Sequence, residues 1–129
     1  MLIGLDVGTS GVKGVAIEDD GAVAAVAEES YPLSTPQPGW AEQDPEAWWR
    51  ASQRVLAQLP EGPIGLSGQM HGLVVLGEHD EVLRPAILWN DMRSDKECAE
   101  LTERAPELHR IAGNLAMPGF TAPKLLWVA

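Results

Sequence analysis

The sequence holds one cysteine, one tyrosine and one phenylalanine, and basic side chains are scarce. A single cysteine, Cys98, excludes an intrachain disulfide, and nothing pairs with it as a metal-ligand cluster. Such cysteine usage is expected of a reducing cytoplasm. Nine Lys and Arg stand against nineteen Asp and Glu, a formal net charge of −10 and a pI near 4.5. A surface that negative repels phosphate backbones and anionic lipid, which argues against nucleic-acid and membrane-surface partners. Any polyanion must then be met at a local site of backbone N–H groups or through a metal. Long hydrophobic runs are lacking too. The longest uncharged stretch, residues 62–77, is broken by Gly62, Gly65, Gly68, Gly72 and Gly77 and carries Gln69 and His71. A spanning helix needs about 20 mostly apolar residues, so no membrane segment is expected. Asp6 interrupts the opening residues before a leader-type apolar core accumulates, so no targeting segment is expected either.

What is present suffices for one domain: 129 residues with an ordinary hydrophobic share of 45%. The apolar run 2–6 ends in a carboxylate and is followed by Gly8-Thr9-Ser10-Gly11. Residues 12–17 are rich in β-branched side chains, and Gly11 and Gly14 disfavour a helix there. Asp20-Gly21 between strand formers predicts a hairpin turn with φ > 0 at both central positions. The first thirty or so residues thus read as three antiparallel strands. Residues 31–43 contain three prolines and read as a loop. Asp44 as N-cap and Pro45 at the first helical position start a helix that Pro60 ends. Ile64–Leu66 read as a strand, and Leu73–Leu76 with Val82–Trp89 as a hairpin around Gly77–Glu81. Ser94 and Glu97 form a Ser-x-x-Glu capping box ahead of a helix that ends near Pro106. A short helical turn over 108–112 stops at Gly113, residues 114–123 read as irregular, and 124–129 as helical. The apolar end of the chain is expected to mark a truncated first domain of something larger.

The turn after Asp6 fits neither common phosphate loop. Walker A spacing is absent, and a dinucleotide fingerprint would lead into a helix, whereas here a strand follows. There remain a carboxylate, two hydroxyls (Thr9, Ser10) and two glycines (Gly8, Gly11) that let backbone N–H groups approach an anion. Asp6 suits a hydrated Mg²⁺. The same pattern also describes a plain hairpin with solvated Asp and Ser, and spacing alone leaves both open.

Asp-x-Gly-Thr-Ser on a first hairpin, followed by strands and a helix, looks like the ribonuclease H-like (actin-like) ATPase domain. More closely, residues 3–13 (IGLDVGTSGVK), 40–45 (WAEQDP), 67–72 (SGQMHG), 84–91 (RPAILWND) and 113–127 (GNLAMPGFTAPKLLW) resemble the FGGY carbohydrate-kinase family, in its xylulokinase branch. The match runs in order along nearly the whole chain. The first motif is shared by many ATPases, whereas the Gln-Met-His-Gly and Trp-Asn-Asp segments are specific to that branch.

The resemblance implies an α/β fold with a mixed sheet that opens as an antiparallel meander, and an N-terminal domain that supplies the sugar pocket and half of the phosphate site. It implies an ATP-dependent sugar kinase acting on the C5 hydroxyl of D-xylulose, with ATP and Mg²⁺ as cofactors and a cytoplasmic location. Asp6 would stand near Mg²⁺ and the transferring phosphate, with Gly8, Thr9, Ser10 and Lys13 around the phosphates. Met70 and His71 would contact the ketose, with Gln69, Trp89, Asn90 and Asp91 beside it and Arg110 a weaker candidate. The general base and most of the ATP site would lie past Ala129, so this piece alone is expected to be inactive. A homodimer of the full-length enzyme stays open, as do other acceptors (ribulose, gluconate, glycerol) and a non-catalytic actin-like module that binds sugar or nucleotide.

Physical chemistry agrees with these placements. A sugar wants convergent hydrogen-bonding groups plus an aromatic wall, which Gln69, His71, Asn90, Asp91 and Trp89 offer. The competing readings are structural. His71 would be a core imidazole, Trp48 and Trp49 core and rim packing, Cys98 core, and His79 and His109 solvated. Lys13 either approaches phosphate or faces solvent.

Overall fold

Ten short elements follow one another along the chain. They are β1 (Leu2–Val7), β2 (Gly11–Ile17), β3 (Val23–Ser30), β4 (Glu42–Gln43), α1 (Pro45–Leu56), β5 (Ile64–Gly68), β6 (Ala86–Ile87), α2 (Asp95–Arg104), α3 (Leu108–Ala112) and α4 (Thr121–Val128). The computed structural model describes residues 1–129, which divide into two units, 1–33 with 44–69 and 34–43 with 70–129.

The first unit is a four-stranded sheet in the order β3-β2-β1-β5. β1, β2 and β3 form the expected antiparallel meander, with Val7 opposite Val12 and Gly14 opposite Ala27. β5 adds parallel to β1, Asp6 standing beside Ser67. Alternation puts Leu5, Val12 and Ala27 on one face, where they form a core with Tyr31 and with Ala51 and Val55 of α1. Ala51 and Val55 are one helical turn apart, so they meet the sheet together. As anticipated, Asp44 caps α1, its side chain accepting from the Glu46 amide at 3.0 Å, and Pro45 opens it. The helix ends at Leu56, before Pro60, and the chain tightens into i→i+3 bonds through Leu59.

The β2–β3 turn departs from the expected type. Only Gly21 has positive φ (88°), and the Glu18 amide bonds the Ala22 carbonyl at 2.8 Å. A three-residue loop with a left-handed glycine therefore replaces the two-residue turn, and the pairing shifts register at Ala16/Ile17. At the other turn, Gly11 is required by proximity: a Cβ there would sit 2.4 Å from the Glu29 carbonyl oxygen.

The second unit pairs β4 with β6, and α2 packs against α4. The expected hairpin over 73–89 is present only as isolated bridges, Leu73 with Ile87 and Leu76 with Val82, while Ala86–Ile87 also pair with Glu42–Gln43. The capping box does not form. Ser94 is fully buried, makes no side-chain cap bond, and donates its hydroxyl to the Pro118 carbonyl at 3.3 Å. α3 stops at Gly113, in the left-handed conformation, as anticipated. α4 begins at Thr121 inside the stretch read as irregular, with Pro123 tolerated in its first turn. No helix is long and apolar enough to cross a membrane.

Candidate functional site

The phosphate candidates all fall in the first unit. Asp6 lies near the C-terminal end of β1 on the sheet face opposite α1, and it is exposed. Cross-strand register sets Glu28, Lys13, Asp6 and Ser67 in one row across β3, β2, β1 and β5. Lys13 turns along that row to Glu28, Nζ to Oε1 2.6 Å, with both side chains mostly exposed. An exposed pair of this kind is worth roughly 0–1 kcal/mol, so Lys13 is not committed to it. A Cβ on Gly8 would lie 3.5 Å from Asp6 Oδ2, so the carboxylate sits over the start of the turn. The Gly8 amide donates to the Gly11 carbonyl at 2.9 Å. That N–H is therefore spent inside the turn and is not open to an anion. Thr9 is half-buried and Ser10 exposed.

Two residues outside the turn hold it. The Tyr31 hydroxyl donates to the Gly8 carbonyl at 2.5 Å, and Gln69 Nε2 donates to the same oxygen at 3.3 Å. Thr9 Oγ1 donates to Gln69 Oε1 at 3.3 Å. Gln69, read from sequence as a sugar contact, thus directs its amide to the turn. Burial, aided by the Asp6 charge, pushes the Tyr31 phenol up to about 12, so it is a neutral donor at physiological pH. Tyr31 was missed in the sequence reading; its one signal was being the only tyrosine, placed directly after β3.

The sugar candidates fall in the second unit, apart from Gln69. Met70 is 53% exposed, and His71 is exposed too, so His71 is not a core imidazole. His71 takes φ 58°, a conformation rare outside glycine, although histidine is among the residues that tolerate it. Its ring leans on Phe120 with centroids 4.6 Å apart, and its carbonyl accepts from Thr121 Oγ1 at 3.1 Å. The segment carrying Phe120 also meets Trp89: a Cβ on Gly119 would lie 2.7 Å from the Trp89 carbonyl oxygen. Gly119-Phe120-Thr121 therefore touches both the His71 loop and the Trp89 backbone. Trp89 is 38% exposed and Asn90 is exposed.

Asp91 and Arg110 are placed otherwise. Asp91 is fully buried, its carboxylate accepting from the Ala41 amide at 2.6 Å, from the Arg93 amide, and from Arg93 Nε and Nη2. Burial alone would raise its pKa, but the Arg93 hydrogen bonds, the two amides and the Arg93 charge hold it below the usual carboxylate range. Arg110 is exposed on α3 and paired with Glu107.

Arg93 is the second residue that sequence reading missed. Its guanidinium also bonds Glu42 at 2.6 Å and lies 3.6 Å from the Trp40 ring centroid, while Trp40 meets Trp127 edge-on at 5.6 Å. The 40–45 and 84–91 segments that carried the resemblance are thus joined inside this unit by Asp91 and Arg93. Lys124, another residue of the resembling segments, is fully buried, with Nζ donating to the carbonyls of Pro118, Gly119 and Phe120. Burial pushes its pKa down to about 8, so at neutral pH an ammonium with three N–H groups faces three acceptors.

No group of three or more His, Cys, Asp or Glu side chains is placed to hold a metal. The exposed Asp6 carboxylate does fit a hydrated Mg²⁺ whose remaining ligands are water and phosphate oxygens.

The model for the N-terminal domain of the FGGY family of carbohydrate kinases matches residues 1–129. A xylulose kinase of Escherichia coli strain K12 is 50% identical over 99% of this chain. A xylulose kinase structure from Brucella ovis superposes with a TM-score of 0.93 at 47% identity over 98% of the chain, and a gluconate kinase from Lactobacillus acidophilus with 0.88 at 34% over the same share. The chain spans 28%, 28% and 27% of those three proteins. The fold is the actin-like α/β fold of the sugar kinases, and the chain belongs to the FGGY family of carbohydrate kinases.

Proposed function

We propose that the complete polypeptide carrying residues 1–129 transfers the γ-phosphate of MgATP to the C5 hydroxyl of D-xylulose. Residues 1–129 serve as its N-terminal domain, and the general base and most of the nucleotide site belong to a further domain. The observation that carries the xylulose reading is the 50% identity to a xylulose kinase across 99% of this chain. The matched span covers the exposed Met70-His71 and Trp89-Asn90 segments that a ketose would meet.

Within this domain Asp6 and the turn 8–10 orient the phosphate end of the reaction. Phosphoryl transfer depends chiefly on positioning and on stabilising charge spread over phosphate oxygens. When bound, Mg²⁺ supplies neutralisation of that charge, and Asp6 is the residue that would hold it. Lys13, freed from its weak pair with Glu28, adds positive charge on the same row. In the second unit His71 and Asn90 hydrogen-bond sugar hydroxyls while Trp89 covers a C–H face. Asp91 shapes that loop from inside and is assigned a supporting part, and Arg110 is given none.

The gluconate kinase neighbour superposes as well as a xylulose kinase from the same organism, each with a TM-score of 0.88 at 34% identity. Backbone likeness at that level does not choose the acceptor. Initial rates for the complete polypeptide with MgATP against D-xylulose, D-ribulose, gluconate and glycerol decide it. The highest kcat/KM is expected for D-xylulose; a higher value for another acceptor overturns that assignment, and no turnover with any of them favours a binding module.

A further inference from the structure

We infer that Tyr31 and Gln69 are positioning residues that set the phosphate turn, acting as two clamps on one carbonyl oxygen. The inference rests on the reading of residues 8–10 as phosphate-binding. Both lone pairs of the Gly8 oxygen are engaged, by the Tyr31 hydroxyl at 2.5 Å and by Gln69 Nε2 at 3.3 Å. In a trans peptide the C=O and the following N–H point in opposite directions. Fixing the Gly8 carbonyl therefore fixes the direction of the Thr9 amide on the opposite side of that peptide.

The backbone reinforces the clamp from both flanks. The Tyr31 amide donates to the Ser10 carbonyl at 3.3 Å, and the Gln69 amide donates to the Val7 carbonyl at 2.9 Å. Gln69 Oε1 also takes the Thr9 hydroxyl hydrogen at 3.3 Å, which sets the rotamer of Thr9. Residues 7–10 are thus tied one by one to β3 and β5, the two outermost strands of the sheet, with Tyr31 directly after one and Gln69 directly after the other. The Asp6 carboxylate rests over the same glycine, so clamp, turn and acid adjoin one another. Position is what such a site contributes, and a displacement of about 1 Å can cost on the order of a hundredfold in rate.

The test is a pair of variants that remove the donors and keep the bulk, Tyr31→Phe and Gln69→Met, in the complete polypeptide. With MgATP and the sugar acceptor, each is expected to lower kcat by about tenfold while the sugar KM stays within about twofold. Because the two share one acceptor, the double variant should lose far less than the product of the single losses. Hydrogen exchange over residues 7–12 should quicken in both variants. Unchanged kcat in both, or a raised sugar KM at unchanged kcat for Gln69→Met, overturns the inference; the latter result makes Gln69 a sugar contact. If the wild-type polypeptide phosphorylates no acceptor, the kinase reading fails by itself. The exchange measurement then still decides the clamp, and unaltered protection in both variants refutes it.

Discussion

Arg93 grips Asp91 with Nε on both carboxylate oxygens and Nη2 on one, at 2.7–3.0 Å, and both side chains are essentially withdrawn from water. Removing one partner of such a pair strands the other charge. Asp91→Asn is expected to destabilise the second unit by about 3–5 kcal/mol, read from denaturant unfolding followed by tryptophan fluorescence. Stability within about 0.5 kcal/mol of wild type would show the pair to be incidental.

The same pair sets an acid limb. Asp91 is depressed in the folded state, so its contribution is present above the unfolded carboxylate pKa and is lost as pH falls through the lower folded value. The wild-type unfolding free energy should therefore fall below about pH 4, and more steeply than in an Asp91→Asn/Arg93→Met double variant. Parallel acid limbs would contradict the assignment.

Lys124 works in the opposite range. Its folded value of about 8 lies under the ordinary lysine value of 10.5, so the folded state gives up its proton first. Stability should rise as pH climbs from about 8 towards 10, by roughly 1–3 kcal/mol. Lys124→Met should lose that rise and, with three carbonyls left unpaired, unfold about 2–4 kcal/mol more easily at pH 7. A variant that keeps the rise places its origin elsewhere.

Gly11→Ala tests the close approach of β3. With a methyl 2.4 Å from the Glu29 carbonyl, the strands must part, and a cost of about 2–3 kcal/mol is expected in the first unit. Wild-type stability on thermal unfolding would mean that the turn yields freely.

Asp6→Asn removes the exposed charge without touching the core. Fold and stability should stay close to wild type, while kcat of the complete polypeptide falls by about a hundredfold or more. Activity within a few-fold of wild type would remove Asp6 from the phosphate site.

Local patterns were legible because their physics is local. Asp44-Pro45, the Gly113 stop and the three-strand meander each follow from neighbours within a few residues, and each stands where the sequence puts it. What escaped was decided by partners far along the chain. Ser94 and Glu97 spell a capping box, but burial turns the Ser94 hydroxyl to Pro118. Tyr31 reaches Gly8 across 23 residues and Arg93 reaches Glu42 across 51, and no periodicity marks either. Of the candidate site residues, Asp6, His71 and Trp89 stand where a ligand can meet them, whereas Asp91 serves the interior. Residue type and motif found the right loops; hydrogen-bond direction then divided their members between ligand and scaffold.

The most direct measurement follows the phosphate itself. The complete polypeptide would be incubated with MgATP and D-xylulose and the products read by phosphorus NMR. ADP is expected in step with a phosphomonoester on the C5 oxygen. Phosphate on another oxygen, or ADP with inorganic phosphate alone, would contradict it.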